Sequence, residues 1–148
     1  MPTLTIWPLR LTLLVHAAMA VAQPVLAGSY MAGNYDVLAT HGLNGSLLVV
    51  ATMLWGVAAL VHAVATRGRT WWLLPMVVVV FLAEGFQIGA GHERNLALHI
   101  PLGVFIVLAA VLLAGWSFTP WATRTKRTAH PGTATQRAPA RAPQEVVR

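Results

Sequence analysis

The chain has 148 residues, 57% of them hydrophobic and 9% charged, with ten Lys and Arg against four Asp and Glu and a mean hydropathy of +0.65. A water-soluble domain dresses its surface with about 25% charged residues, so this composition excludes one and implies that most of the surface faces lipid. The absence of cysteine excludes disulfides, thiolate iron–sulfur clusters and covalent c-type haem attachment. Any metal would be held by histidine or carboxylate.

Four apolar stretches, approximately 9–27, 37–66, 71–90 and 96–118, are long enough to cross a hydrocarbon core of about 30 Å, which takes about 20 helical residues. The first ends in Pro24-Val25-Leu26-Ala27-Gly28-Ser29, which has the small residues of a signal cleavage site. It has a single Arg before a long apolar run, and the expectation is that it stays in place as a span. Short polar links, GSYMAGNYD at 28–36, RGRT at 67–70 and GHERN at 91–95, make neighbouring helices antiparallel. The predicted fold is an all-α membrane protein, a four-helix up-and-down transmembrane bundle over 1–118 with a basic disordered tail over 119–148, where Ala, Thr, Pro and Arg replace the apolar pattern.

The basic residues predict the orientation. Arg10, Arg67, Arg69, Arg124, Lys126, Arg127, Arg137, Arg141 and Arg148 fall on one side and Arg94 on the other, so the positive-inside rule places both termini in the cytoplasm and the first and third links outside. Trp7, Trp71, Trp72, Trp116 and Trp121 lie near the expected inner boundary and Tyr30 and Tyr35 in the first outer link. Trp55, in mid-span, reads as packing. For the tail, lipid headgroups are the expected contact; nothing points to nucleic acid.

Polar side chains inside a span are expensive and mark candidate sites. Counted at about 1.5 Å per residue from the outer boundary, His41 and His99 share a layer roughly one turn deep, with Gln23, Glu84 and Gln87 within about a turn of it. The second and fourth helices run in the same direction on diagonal corners, so His41 and His99 can face each other across the axis. Each begins a His-x-x-x-Gly pattern, HGLNG at 41–45 and HIPLG at 99–103. Gly45 and Gly103 lie one turn below on the same face, where a missing side chain would leave room for a flat ligand. Ala39 with Ala97, Val49 with Val107 and Ala51 with Ala109 repeat in the same register, which suggests two helix pairs related by a pseudo-two-fold axis along the membrane normal.

Two neutral imidazoles at one depth in an apolar bundle suit the axial ligation of a b-type haem. Zinc wants three or four ligands, and only Glu84 offers a third. Arg94, beside His92, would meet the propionates at the outer surface or pair with Glu93. Glu84 would either snorkel to the interface or, buried beside the site, exchange a proton as the metal changes charge. Gln23 and Gln87 would bridge helices or orient the ligating rings. His16 and His62, on adjacent antiparallel helices at poorly matched depths, make a weak second pair, with His62 interfacial, and His130 in the tail has no signal. Pro75 suits a first helical turn, and Pro24 and Pro101 free a carbonyl beside the polar layer.

The run Gln23-Pro-Val-Leu26-Ala-Gly28, then His41-x-x-x-Gly45, then Gln87 and Leu98-His99-Ile-Pro101, resembles a family of small four-span bacterial membrane proteins. Its layout over roughly 13–118 is similar to one half of haem A synthase. The resemblance implies a four-helix bundle with His41 and His99 as haem ligands. Leu38 and Ala39 stand where haem A synthase has an acidic residue before the first His, and the first outer link lacks its cysteine pair, so oxidation of a haem methyl is not implied.

The expected function is an integral b-type haem protein of the bacterial cytoplasmic membrane, bis-histidine ligated, in electron transfer or haem handling with a redox protein or quinone as partner. The competing reading is a cofactor-free accessory or scaffolding protein whose polar layer fixes helix packing. A solute or proton pathway would spread its polar residues from face to face; here they cluster in the outer third.

Overall fold

A computed structural model describes residues 2–67 and 69–124. Its elements are α1 (Pro2–Met31), α2 (Val37–Ala65), α3 (Leu73–His92), α4 (Leu96–Ser117) and the short α5 (Pro120–Thr123). There is no strand among the described residues. The first four helices are long and apolar enough to cross a membrane, and their short connections make them alternate in direction. Each packs on two neighbours, α1 and α3 both touching α2 and α4, so α1 and α3 occupy one diagonal and α2 and α4 the other. The chain is a multi-pass membrane protein with an up-and-down four-helix bundle. One end of the bundle bears the links at 32–36 and 93–95 (the loop end); the other bears the start of α1 and the close of α4 (the terminal end).

Large apolar side chains are exposed all round the bundle, among them Val25, Leu43, Val57, Phe86, Phe105 and Leu112, as expected where the solvent is lipid. The buried core is concentrated from mid-bundle to the terminal end, where Leu9, Leu13, Trp55 and Leu73 are fully enclosed and Ala20, Ala59 and Ala110 let the helices approach. Trp55 is the packing residue it was expected to be.

The helix α1 starts seven residues before the apolar span counted from sequence. Hydropathy ends where polar side chains begin, but helical hydrogen bonding continues through the interface. There Arg10 Nε donates to the Ser117 carbonyl at the end of α4 (3.0 Å), and its guanidinium lies 5.0 Å from the Trp7 ring and 4.8 Å from that of Phe118. Cations favour a helix C-terminus for its partial negative charge. The Trp72 and Trp116 rings meet edge to face at 4.8 Å, and Trp121 is flanked by Arg69 and Arg124. The terminal end therefore has the basic and aromatic belt of a membrane boundary.

One correction concerns the tail. Residues 120–123, expected to be disordered, form α5, because His62 Nε2–H donates to the Ala122 carbonyl at 2.8 Å and Ala122 is buried. The tail from residue 125 onward, including His130, Lys126, Arg127, Arg137, Arg141 and Arg148, lies outside the described residues. Pro75 is the third residue of α3, and Pro24 and Pro101 sit inside α1 and α4. A proline supplies no N–H to the carbonyl four residues earlier.

Candidate functional site

The site is built on the first turns of α2 and α4 and the facing stretches of α1 and α3. His41 is the fifth residue of α2 and His99 the fourth of α4, so the two half-buried rings meet across the diagonal, their centres 6.2 Å apart and their planes inclined at 56°. Each ring is held through Nδ1. That of His99 donates to the Gln87 carbonyl at 2.9 Å, which leaves the Nε2 lone pair free in the neutral ring. That of His41 faces the Gln23 side-chain amide. The amide makes most bonds when its nitrogen donates to His41 Nδ1 (2.9 Å) and to the His41 carbonyl (3.2 Å) while its oxygen accepts from Gly45 N (2.9 Å). Turned over, its oxygen would accept from Nδ1–H and free Nε2 instead.

The two helix pairs correspond in more than the two histidines. In α1–α2 the Gln23 amide lies over Gly45, and in α3–α4 the Gln87 amide lies over Gly103. A Cβ on Gly45 would sit 2.9 Å from the Gln23 amide and one on Gly103 2.8 Å from that of Gln87. This corrects the expectation that these glycines open space for a flat ligand, because the neighbouring glutamines occupy it. The halves differ in how they hold the imidazole, Gln23 by its side chain and Gln87 by its backbone, and Oε1 of Gln87 is buried with no partner. Gly91 was missed from sequence. It is close enough to the His99 ring that a Cβ there would come within 3.0 Å of Cε1, and its only signal is a Gly-rich helix end, which normally marks a C-cap.

Glu84 does not join this layer and does not snorkel. Its side chain is buried, and Oε1 lies 2.7 Å from His16 Nε2 and accepts from Thr52 Oγ1 at 3.0 Å. Side chains lean toward the N-terminus of their helix. On α3, which runs toward the loop end, that lean carries the carboxylate deeper than its backbone position, away from His41 and His99.

His16 and His62 make no second pair. His62, expected at the interface, is fully buried, its Nδ1 3.0 Å from Thr5 Oγ1 and its Nε2 bonded to Ala122. With both nitrogens engaged it reads as a structural clamp. Arg94 and His92 are exposed at the turn between α3 and α4, where Arg94 takes a left-handed backbone conformation (φ 54°). No ion pair joins Arg94 to Glu93. The described residues contain no group of three or more His, Cys, Asp or Glu able to hold a metal ion.

Compared with protein-family models, curated proteins and solved structures, the chain matches none.

Proposed function

We propose that the chain is a membrane protein that holds one b-type haem between His41 and His99, in the service of electron transfer or haem handling. The observation that carries this reading is the separation of the two rings. Two imidazoles bound on opposite sides of one metal at about 2 Å each have their ring centres about 6 Å apart, and these stand at 6.2 Å. Support also comes from the hydrogen bonds behind them. Ligating histidines generally donate their second N–H to a carbonyl or carboxylate, as His99 donates to Gln87, and His41 can do the same to Gln23 once that amide turns over. The bound group would supply a ferric–ferrous one-electron couple. Held by both His41 and His99, it would favour electron transfer over oxygen activation.

The remaining assignments belong to the same proposal. Arg94, exposed at the loop end, would pair with the propionates. A redox protein or a quinone would exchange electrons at the edge of the bundle. The basic terminal end would face the cytoplasm of a bacterial cell.

A second reading is favoured by one specific observation: the glutamine amides already fill the space above Gly45 and Gly103. In that reading the layer fixes helix packing and no cofactor binds. A reduced-minus-oxidised optical spectrum of the purified protein separates the two. The haem reading expects a six-coordinate low-spin spectrum that is lost in His41→Ala and in His99→Ala and kept in His62→Ala. A colourless wild type that takes up no added haem leaves the packing reading in place.

A further inference from the structure

The terminal end carries a positive cluster gathered around one ring. Trp121 of α5 has two guanidiniums against its indole, Arg69 Cζ at 5.4 Å and Arg124 Cζ at 4.4 Å from the ring centre. Arg69 comes from the link between α2 and α3 and Arg124 directly follows α5, so the fold, and not sequence spacing, brings them to the same indole. Both supports are fixed. Arg69 lies between Thr66 and Thr70, two buried residues whose hydroxyls meet at 2.9 Å, and α5 is tied down by the bond from His62 to the Ala122 carbonyl.

No carboxylate answers these charges among the described residues. Asp36 and Glu93 are exposed at the loop end, and Glu84 is buried beside His16. Beyond residue 124 the sequence has five Lys and Arg against one acid, Glu145, which adds to the positive charge. A guanidinium lying over a ring uses its face and leaves its in-plane N–H donors open. Two such groups against one indole repel each other, and an anion that accepts from both replaces that repulsion with charge-assisted hydrogen bonds.

The location selects the anion. Trp121 is exposed, as are Trp71 and Trp72, which follow Arg69 in the chain, and indoles settle at the headgroup level of a bilayer. An anion at that depth is a lipid phosphate, with its glycerol and acyl chains against the exposed rings. A zwitterionic headgroup would also bring an ammonium, for which this cluster has no carboxylate. We propose that Arg69, Arg124 and Trp121 form a binding site for the headgroup phosphate of an anionic phospholipid at the terminal end of the bundle. The two arginines donate to the phosphate oxygens and Trp121 holds them together. The site is separate from the His41–His99 layer and stands whether or not that layer holds haem.

Native mass spectrometry of the full chain tests this, the protein being released from micelles with equal amounts of phosphatidylglycerol and phosphatidylcholine of the same acyl chains. The expected result is retention of phosphatidylglycerol in preference to phosphatidylcholine. An arginine near a charged lipid contributes roughly five-fold in affinity, so Arg69→Gln combined with Arg124→Gln should lower phosphatidylglycerol binding by roughly 30-fold. Arg137→Gln with Arg141→Gln removes the same charge from the tail and should leave the preference in place. Trp121→Leu keeps both charges but removes the ring, and should give an intermediate loss. Excess glycerol phosphate should not displace the lipid, because it lacks the acyl chains. Equal retention of the two lipids by the wild type, equal losses in the two double variants, undiminished binding in Trp121→Leu, or displacement by glycerol phosphate overturns the proposal. The wild-type comparison decides the matter even if a variant does not fold.

Discussion

At the scale of single residues, the two glycines below the histidines carry the sharpest consequences. In Gly45→Ala or Gly103→Ala the new methyl meets a glutamine amide at under 3 Å, and relieving such overpacking costs typically about 1–3 kcal/mol. Unfolding in mixed micelles should register this loss. Gly103→Ala combined with Gln87→Ala should recover part of it, since the obstructing amide is gone; strictly additive losses would mean that the two side chains do not meet. If the proposed haem is bound, the glutamines themselves should act unequally on its affinity. Gln23 holds His41 by its side chain, so Gln23→Leu should weaken haem binding by about 10–100-fold, the usual effect of removing a ligand's supporting partner. Gln87 holds His99 by its backbone carbonyl, so Gln87→Leu keeps that bond and should bind haem nearly as well. Equal losses in a haem titration would contradict this asymmetry.

At the scale of elements, the histidine at the terminal end ties the short helix α5 to the bundle. Thr5 of α1, His62 of α2 and Ala122 of α5 are joined through one imidazole, so α5, only four residues long, depends on the bundle and not on its own hydrogen bonds. His62→Leu keeps the volume but deletes the donor, and a buried hydrogen bond contributes about 0.5–1.5 kcal/mol. Amide exchange at 121–124 should then quicken by up to roughly ten-fold, while exchange in the middle of α2 stays slow. Unaltered exchange in α5 would show that packing of Ala122 alone holds it. Thr66 assists the same corner, its hydroxyl bonded to the His62 carbonyl and lying 2.9 Å from Thr70 Oγ1.

For the whole molecule, the outstanding consequence is sidedness. Arg10, Arg69 and Arg124 gather with tryptophans at the terminal end, and Arg94 is the one Lys or Arg at the loop end among the described residues. Positive residues are retained in the cytoplasm. Reporter fusions after residue 32 and at the C-terminus should therefore read opposite sides, the C-terminal one cytoplasmic. Two fusions on the same side, or a mature protein beginning near Gly28, would be incompatible with four spans in this orientation.

Sequence alone determined the number of spanning helices, their approximate limits and their alternating directions, because bilayer thickness fixes span length and links of a few residues permit only antiparallel neighbours. It also determined that His41 and His99 share a layer, since both lie near the start of helices entering from the same side. Only the tertiary structure decided which polar groups meet. The rule of counting along backbones placed Glu84 near that layer, but the lean of its side chain and the position of α1 brought it to His16 instead. No pattern within α1 or α3 encodes that partner, because it depends on the rotation and tilt of one helix against another. The roles of Gly45 and Gly103 had the same origin. A glycine on a helix face marks a close approach, and which atoms fill the space depends on the neighbouring helix. His62 likewise looked interfacial from its place near the end of α2 and became buried because the chain folds α5 back over it.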